Sequence, residues 1–188
     1  MANYRNGNYC AFYVNEFLMK WNLGVNTAHD YCYYHTLTLW KDADPTFPFI
    51  DSHNKTYNVR DDSEWERTLK PRLHERLRNS KNIILFLSSI TSNSRALREE
   101  IDYGINTLGL PVIVIYPEYN ENTDIVGSNG IKSYIRNLWN KLPVFRDNMD
   151  KVPTMHIPMK KSLIRSALND PDFMILTKTT PSSYYYKL

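Results

Sequence analysis

The chain has 188 residues, 42% hydrophobic and 23% charged, with a net charge of +3. Those values fit one folded domain with length to spare for long loops, and the charge is too small and scattered to indicate nucleic-acid binding. No stretch approaches the roughly 20 apolar residues of a membrane span, and the N-terminal MANYRNGNYC lacks the apolar core of a signal peptide, so a cytoplasmic protein without a membrane partner is expected. Cys10 and Cys32 do not make a disulfide framework and read as buried free thiols, consistent with a reducing compartment.

Taken in order, Tyr9 to Val14 is a compact apolar run and reads as a first strand. Residues 15–24 are too apolar for a free loop and should pack down. A first helix is expected over Thr27 to Lys41. Phe47 to Ile50 reads as a second strand, short or near an edge because Pro45 and Pro48 restrict it, and Asp51 closes it. The polar loop that follows is long enough to look functional. A second helix runs from Ser63 to Asn79, where Trp65, Leu69, Leu73 and Leu77 recur every four residues. Pro71 should kink or restart it, and Lys70, Arg72, Arg76 and Arg78 read as its solvated face.

The third strand (NIILFL), a helix, and a fourth strand (Val112 to Ile115) form the clearest unit: two short branched apolar runs around a crossover helix. Ser94 is the expected N-cap of that helix and Gly109 its C′ residue. At about 100° per residue, Leu97, Ile101, Gly104 and Leu108 share one narrow stripe. Glu99 points to the solvent side, whereas Glu100 lies about 80° from the stripe's centre, at the core edge. A carboxylate there is partly desolvated, which raises its pKa and suits a cleft. A fourth helix is expected from about Ile131 to Lys141, a fifth strand over Thr154 to Ile157, and a fifth helix over Lys160 to Leu168. The tail from about residue 171 should dock its apolar head and leave its Tyr-rich end disordered.

Five strands alternating with five helices imply a single α/β domain with its core over about 8–170. The expected form is three-layer, a five-stranded parallel sheet in order 2-1-3-4-5 with helices on both faces. Ligands in such folds bind outside the carboxyl ends of the strands. Those ends carry Tyr13, Val14, Asn15 and Glu16, then Asp51 and Ser52, then Ser88 and Ser89, then Tyr116 and Glu118. The sequence has no GxGxxG, no GxxxxGK[ST], no HExxH, no paired CxxC and no GxSxG. The five histidines do not cluster, and no metal site is expected. Strand three ends in Ser88-Ser89 rather than in Asp, which argues against a phosphoacceptor receiver.

FPFID before a polar loop, an amphipathic helix ending in NSKNIILFLSS, and REEI on the third helix together resemble the TIR family. More closely, they resemble the bacterial TIR-like domains of the Thoeris antiphage-defence type. The resemblance covers about Tyr9 to Pro117, with AFYV as the first box, residues 52–62 as the BB loop, and LSS with the following turn as the second box. Two positions depart from the family's pattern. Ala96 stands where catalytic members often have Trp, and loop 52–62 has no Gly.

The resemblance implies a flavodoxin-like fold and, in catalytic members, a glutamate before an aliphatic residue on the third helix that cleaves the N-glycosidic bond of NAD. The matching residue is Glu100, before Ile101. On that reading NAD is the substrate, with Phe12, Tyr13 and Tyr57 placed to stack on a base, Ser88 and Ser89 to bond ribose or phosphate, and Asp51 beside them. The partners implied are NAD or a related nucleotide and other TIR-like domains, including a second copy of the chain. The alternative reading is a non-catalytic module that binds other TIR-like domains through loop 52–62 and the exposed faces of the second and third helices.

Overall fold

A computed structural model describes residues 5–14, 29–53 and 64–187. Among these the strands are β1 (Gly7–Ala11), β2 (Ser80–Phe86), β3 (Val112–Tyr116), β4 (Val126–Gly127), β5 (Gly130–Ile131), β6 (Pro153–Pro158) and β7 (Ser182–Tyr185). The helices are α1 (His29–Ala43), α2 (Lys70–Arg78), α3 (Arg95–Asp102), α4 (Asn122–Ile125), α5 (Ser133–Leu138), α6 (Pro143–Arg146) and α7 (Lys161–Asn169). The main sheet has five strands in order β1-β2-β3-β6-β7, every pair parallel, while β4 and β5 form a separate antiparallel hairpin.

Side-chain alternation along the strands divides the interior into two cores, as expected for strands buried on both faces. Ile83, Leu85, Val112 and Val114 point to the layer that holds Leu73 and Leu77 of α2, Leu97 and Ile101 of α3, Ile135 of α5 and Phe145 of α6. Ile84, Phe86, Ile113 and Ile115 point to the layer that holds Leu37 of α1 and Ile164, Ala167 and Leu168 of α7. The parallel α/β class therefore stands.

The order 2-1-3-4-5 differs from the sheet in two places. The segment expected as strand two contributes only an isolated parallel bridge, Asn8 to Asp51, on the outer side of β1. Pro48 offers no N–H, Lys41 Nζ takes the carbonyls of Pro45 and Phe47, and Ile50 N–H donates to the Asn8 side chain. The fifth strand of the sheet is instead β7, from the tail expected to be disordered. The open edge of β6 gives its backbone a ladder, and Asn122 Nδ2 donates to the Tyr186 carbonyl beyond it at 2.7 Å.

β1 also lies two residues earlier than read, so Phe12 to Val14 follow the strand rather than form it. Gly7 permits the close passage at that start: a Cβ there would meet Ser52 Oγ at 2.2 Å. A buried amide chain fixes the register across the sheet. Ile50 N–H donates to Asn8 Oδ1, Asn8 Nδ2 to Asn82 Oδ1, and Asn82 Nδ2 to the Phe173 carbonyl, each at 2.8 Å.

The second helix begins as a π segment, Trp65–Leu69, and continues as α2 with Pro71 in its first turn. A proline there gives up a donor that a first turn leaves unpaired anyway. α3 starts at Ser94, whose hydroxyl accepts from Leu97 N–H at 3.3 Å, and passes into a second π segment, Tyr103–Thr107. Gly104 lets that segment press onto β2, where an added Cβ would meet Ile83 Cδ1 at 2.3 Å. The chain leaves the helix through Gly109, whose φ of 62° is the left-handed C′ conformation. The expected fourth helix is shorter than read: Ile131 belongs to β5, and α5 is followed by a 3-10 turn, Trp139–Lys141. Residues 15–28 and 54–63 lie outside the described residues, and with them most of the expected loop, including Tyr57. None of the described helices is long and apolar enough to cross a membrane.

Candidate active site

α3 lies against α2 and β1, and this placement brings Glu100 over the edge strand. Tyr9, 2% exposed in the middle of β1, donates its hydroxyl to Glu100 Oε1 at 2.9 Å. Glu100 Oε2 is shut from solvent and has no hydrogen-bond partner among the described residues. The residue as a whole is only partly buried, so its closed end is the carboxyl group itself. Burial raises the pKa of Glu100 to about 8, against the opposing pull of the Tyr9 hydrogen bond and the Arg76 charge. Near neutral pH the group therefore holds a proton readily and gives it up readily, the condition for acid–base or electrostatic work.

Tyr9 is held from the other side by His53, with ring centroids 4.7 Å apart. His53 sits at the outer side of β1, where it touches both Tyr9, which faces the α2–α3 layer, and Phe12 and Tyr34, which pack with the α1–α7 layer. Phe12 and Tyr34 stack at 5.4 Å, an interplanar angle of 17°. Asp51 orients the group: it accepts from Tyr34 Oη at 2.5 Å and from His53 N–H at 2.8 Å, and its Oδ1 lies 3.6 Å from His53 Nδ1. Burial lowers the His53 pKa, Asp51 raises it, and Arg76 lowers it further. A groove of about 440 Å³, with Tyr34, Thr38, Lys41, Phe49, Ile50 and Asp51 among its walls, opens beside this network and shares Tyr34 and Asp51 with it. That volume is within the range of small-molecule sites.

Of the residues singled out from the sequence, Phe12, Asp51 and Glu100 are thus connected, through Tyr34, His53 and Tyr9. Tyr13 packs at the margin of the α2–α3 core. Ser88 and Ser89 are committed elsewhere. Ser88 Oγ donates to buried Asp30 at 2.9 Å, and Thr91 Oγ1 and a backbone hydrogen bond from Tyr13 reach the same carboxylate. Ser89 N–H donates to Glu118 Oε2 at 3.0 Å, and its hydroxyl donates to Glu118 Oε1. Asp30 ties the first turn of α1 to the end of β2, and Glu118 ties the ends of β2 and β3 together.

The sequence reading passed over Tyr9, Tyr34, His53 and Arg76. Arg76 was read as solvated, yet its charge acts on Tyr9, His53 and Glu100. Glu99 was read as a solvent-face residue, yet it accepts from His74 Nε2 at 2.7 Å and pairs with Lys70 Nζ at 3.2 Å. His74 stacks on Tyr103 at 3.6 Å, so Glu99 fastens α3 to α2 while Glu100 faces β1. Cys10 is buried and Cys32 half-buried, and the two do not form a disulfide. Among the described residues no three His, Cys, Asp or Glu side chains converge as a metal site.

The parallel α/β sheet thus carries a desolvated carboxyl group beside its edge strand and an aromatic pair at that strand's end. A family model described as "Thoeris protein ThsB, TIR-like domain" matches residues 9–122, more than half of the chain and a span that includes every residue of this network. The chain belongs to that family. β6, α7 and β7 lie beyond the matched residues.

Proposed function

We propose that this TIR-like domain cleaves NAD to nicotinamide and an ADP-ribose-type nucleotide that serves as a signal in antiphage defence, with Glu100 as the catalytic carboxylate. The observation that carries the reading is the Glu100 carboxyl group, buried, held at one oxygen by Tyr9 and unpaired at the other among the described residues. Breaking the bond between ribose C1′ and the pyridinium nitrogen sends the bonding electrons to nitrogen, so neutral nicotinamide leaves and positive charge grows on the ribose. A carboxylate fixed nearby in a low-dielectric site stabilises that charge far better than water does. Addition of water at C1′, with loss of one proton, gives ADP-ribose; addition of an internal nucleophile gives a cyclic product.

The pKa of Glu100 fits this chemistry. The positive pyridinium ring of the substrate, brought beside Glu100, favours the ionised carboxylate, so binding draws the proton off where the charge is needed. The stacked Phe12–Tyr34 pair and Asp51 supply an aromatic face and an acceptor next to the groove. Tyr13, Tyr57, Ser88 and Ser89 remain candidate contacts for the rest of the nucleotide, with the serines reachable only by displacing Asp30 or Glu118. A second reading, a non-catalytic module that binds other TIR-like domains or a second copy of this chain, draws on Leu39 and Ile50, 51% and 46% exposed.

The test is nicotinamide release from NAD by concentrated protein, followed by chromatography. Wild type is expected to release nicotinamide, and Glu100→Gln to lose at least about a hundredfold in rate, the usual scale for removing one electrostatic group. No release by concentrated wild type would move the assignment to the interaction module.

A further inference from the structure

We infer that Tyr9 is the positioning residue for the Glu100 carboxyl group: its phenol fixes Oε1 and leaves Oε2 as the oxygen without a partner among the described residues. The inference rests on the reading above, and deepens it by assigning different tasks to the two carboxyl oxygens.

A glutamate side chain has three rotatable bonds, and a site needs its carboxyl group within a fraction of an ångström of the productive place. α3 fixes only the Cα of Glu100. The phenol of Tyr9 fixes the far end. Tyr9 is itself immobile, 2% exposed within a strand paired along its length with β2. Its ring lies against His53, and His53 is held by Asp51, which Tyr34 of α1 holds in turn. One line of contacts thus runs from α1 through the 51–53 segment and β1 to α3 and ends on Oε1.

Tyr9 is the donor in this contact whenever Glu100 is ionised. Burial and the neighbouring Glu100 charge raise its pKa well above the ordinary phenol value, so it keeps its proton wherever the protein is folded. A phenol donating to Oε1 favours the ionised carboxylate. The groups that face the Glu100 carboxyl group are Tyr9 of β1 and Arg76 of α2, with Asp51 and His53 behind them and Cys10 on the opposite face of β1, within reach of its charge only. Arg76 also favours ionisation, but as a charge acting on both oxygens, whereas the 2.9 Å hydrogen bond distinguishes one from the other.

The test is Tyr9→Phe, which keeps the ring and removes only the hydroxyl. Glu100 is titrated directly by carbon NMR in protein labelled at the glutamate carboxyl carbons, its resonance identified by its absence in Glu100→Gln. The Tyr9→Phe midpoint is expected to rise by about one pH unit, a tenfold change in proton affinity. Nicotinamide release near neutral pH should fall about tenfold and recover at alkaline pH, a pattern that general loosening of the fold would not produce. An unchanged Glu100 midpoint in folded Tyr9→Phe protein overturns the inference. The titration needs no turnover, so it decides the role of Tyr9 even where wild type releases no nicotinamide and the enzymatic reading fails. Should Tyr9→Phe not fold, the wild-type phenol proton answers instead. It is expected as a protected, downfield resonance that moves in Glu100→Gln, and a resonance indifferent to that substitution overturns the assignment.

Discussion

Glu100→Gln is expected to make the protein more stable at pH 8 while removing its catalytic group. The folded pKa of Glu100 is about 8 against an ordinary value of 4.5. The folded state therefore binds more protons than the unfolded chain between those values, and stability falls as pH rises through that window. Below pH 4.5 the carboxyl group is neutral in both states and costs nothing of this kind. By pH 8 most of the penalty is present, on the order of 4 kcal/mol from the size of the shift. Gln keeps the shape and removes the charge, but leaves an amide with an incomplete set of partners, which returns about 1–2 kcal/mol. The net gain is about 2–3 kcal/mol, or about 5–10 °C in Tm for a chain of this length. Calorimetry across pH checks it: the gap between variant and wild type should close as pH falls to 4.5. A variant less stable than wild type at pH 8 would mean that the Glu100 charge is welcome in the fold. A site residue that lowers stability is the usual mark of a group kept for function.

The second large effect is acid sensitivity through His156, on the far side of the sheet from β1. Trp139 Nε1–H donates to Tyr116 Oη at 2.7 Å, and Tyr116 Oη and His156 Nδ1 share a hydrogen bond at 2.8 Å. His156 Nε2 is buried without a partner among the described residues. His156 is fully buried, and burial lowers its pKa to about 3 from 6.5. A neutral histidine here means that the unfolded chain binds the extra proton between those values, so stability is lost as pH falls below 6.5. The slope approaches about 1.4 kcal/mol per pH unit and sums to on the order of 4 kcal/mol by pH 3.

His156→Gln keeps an acceptor for Tyr116 and cannot take up the proton. Between pH 7.5 and pH 4, its stability relative to wild type should improve by about 3 kcal/mol in urea unfolding. Parallel curves for the two proteins would refute the assignment. Glu100 and His156 pull in opposite directions between pH 4.5 and 6.5, so wild type should show a flat maximum there, with losses on either side.

What the sequence disclosed, and what it did not, follows from how local each cause is. The β2–α3–β3 unit could be read because its signals are short-range: two branched apolar runs, Ser94 at one helix end and Gly109 at the other. The core-edge position of Glu100 came from the same helix wheel. Its partner did not, because the Tyr9 contact depends on where α3 crosses β1, 91 positions apart in sequence. The strand over Phe47 to Ile50 failed for a non-local reason as well: Asn8 and Lys41 take the backbone groups that a ladder would need. The Tyr-rich tail looked unable to fold alone, which is reasonable for the segment and wrong beside an open β6 edge. Arg76 was legible and missed: three residues after Leu73 and one before Leu77, it falls inside the stripe those leucines define, and grouping it by charge with Lys70, Arg72 and Arg78 hides that.

The measurement that tests the central claim most directly is the pH profile of nicotinamide release from NAD, on wild type beside Glu100→Gln. If Glu100 must be ionised to stabilise the ribosyl cation, kcat/KM of wild type should rise about tenfold per pH unit and level off near the Glu100 pKa of about 8. The variant should remain near background throughout. A flat wild-type profile, a limb near the ordinary carboxylate value, or retained turnover in Glu100→Gln would contradict the account.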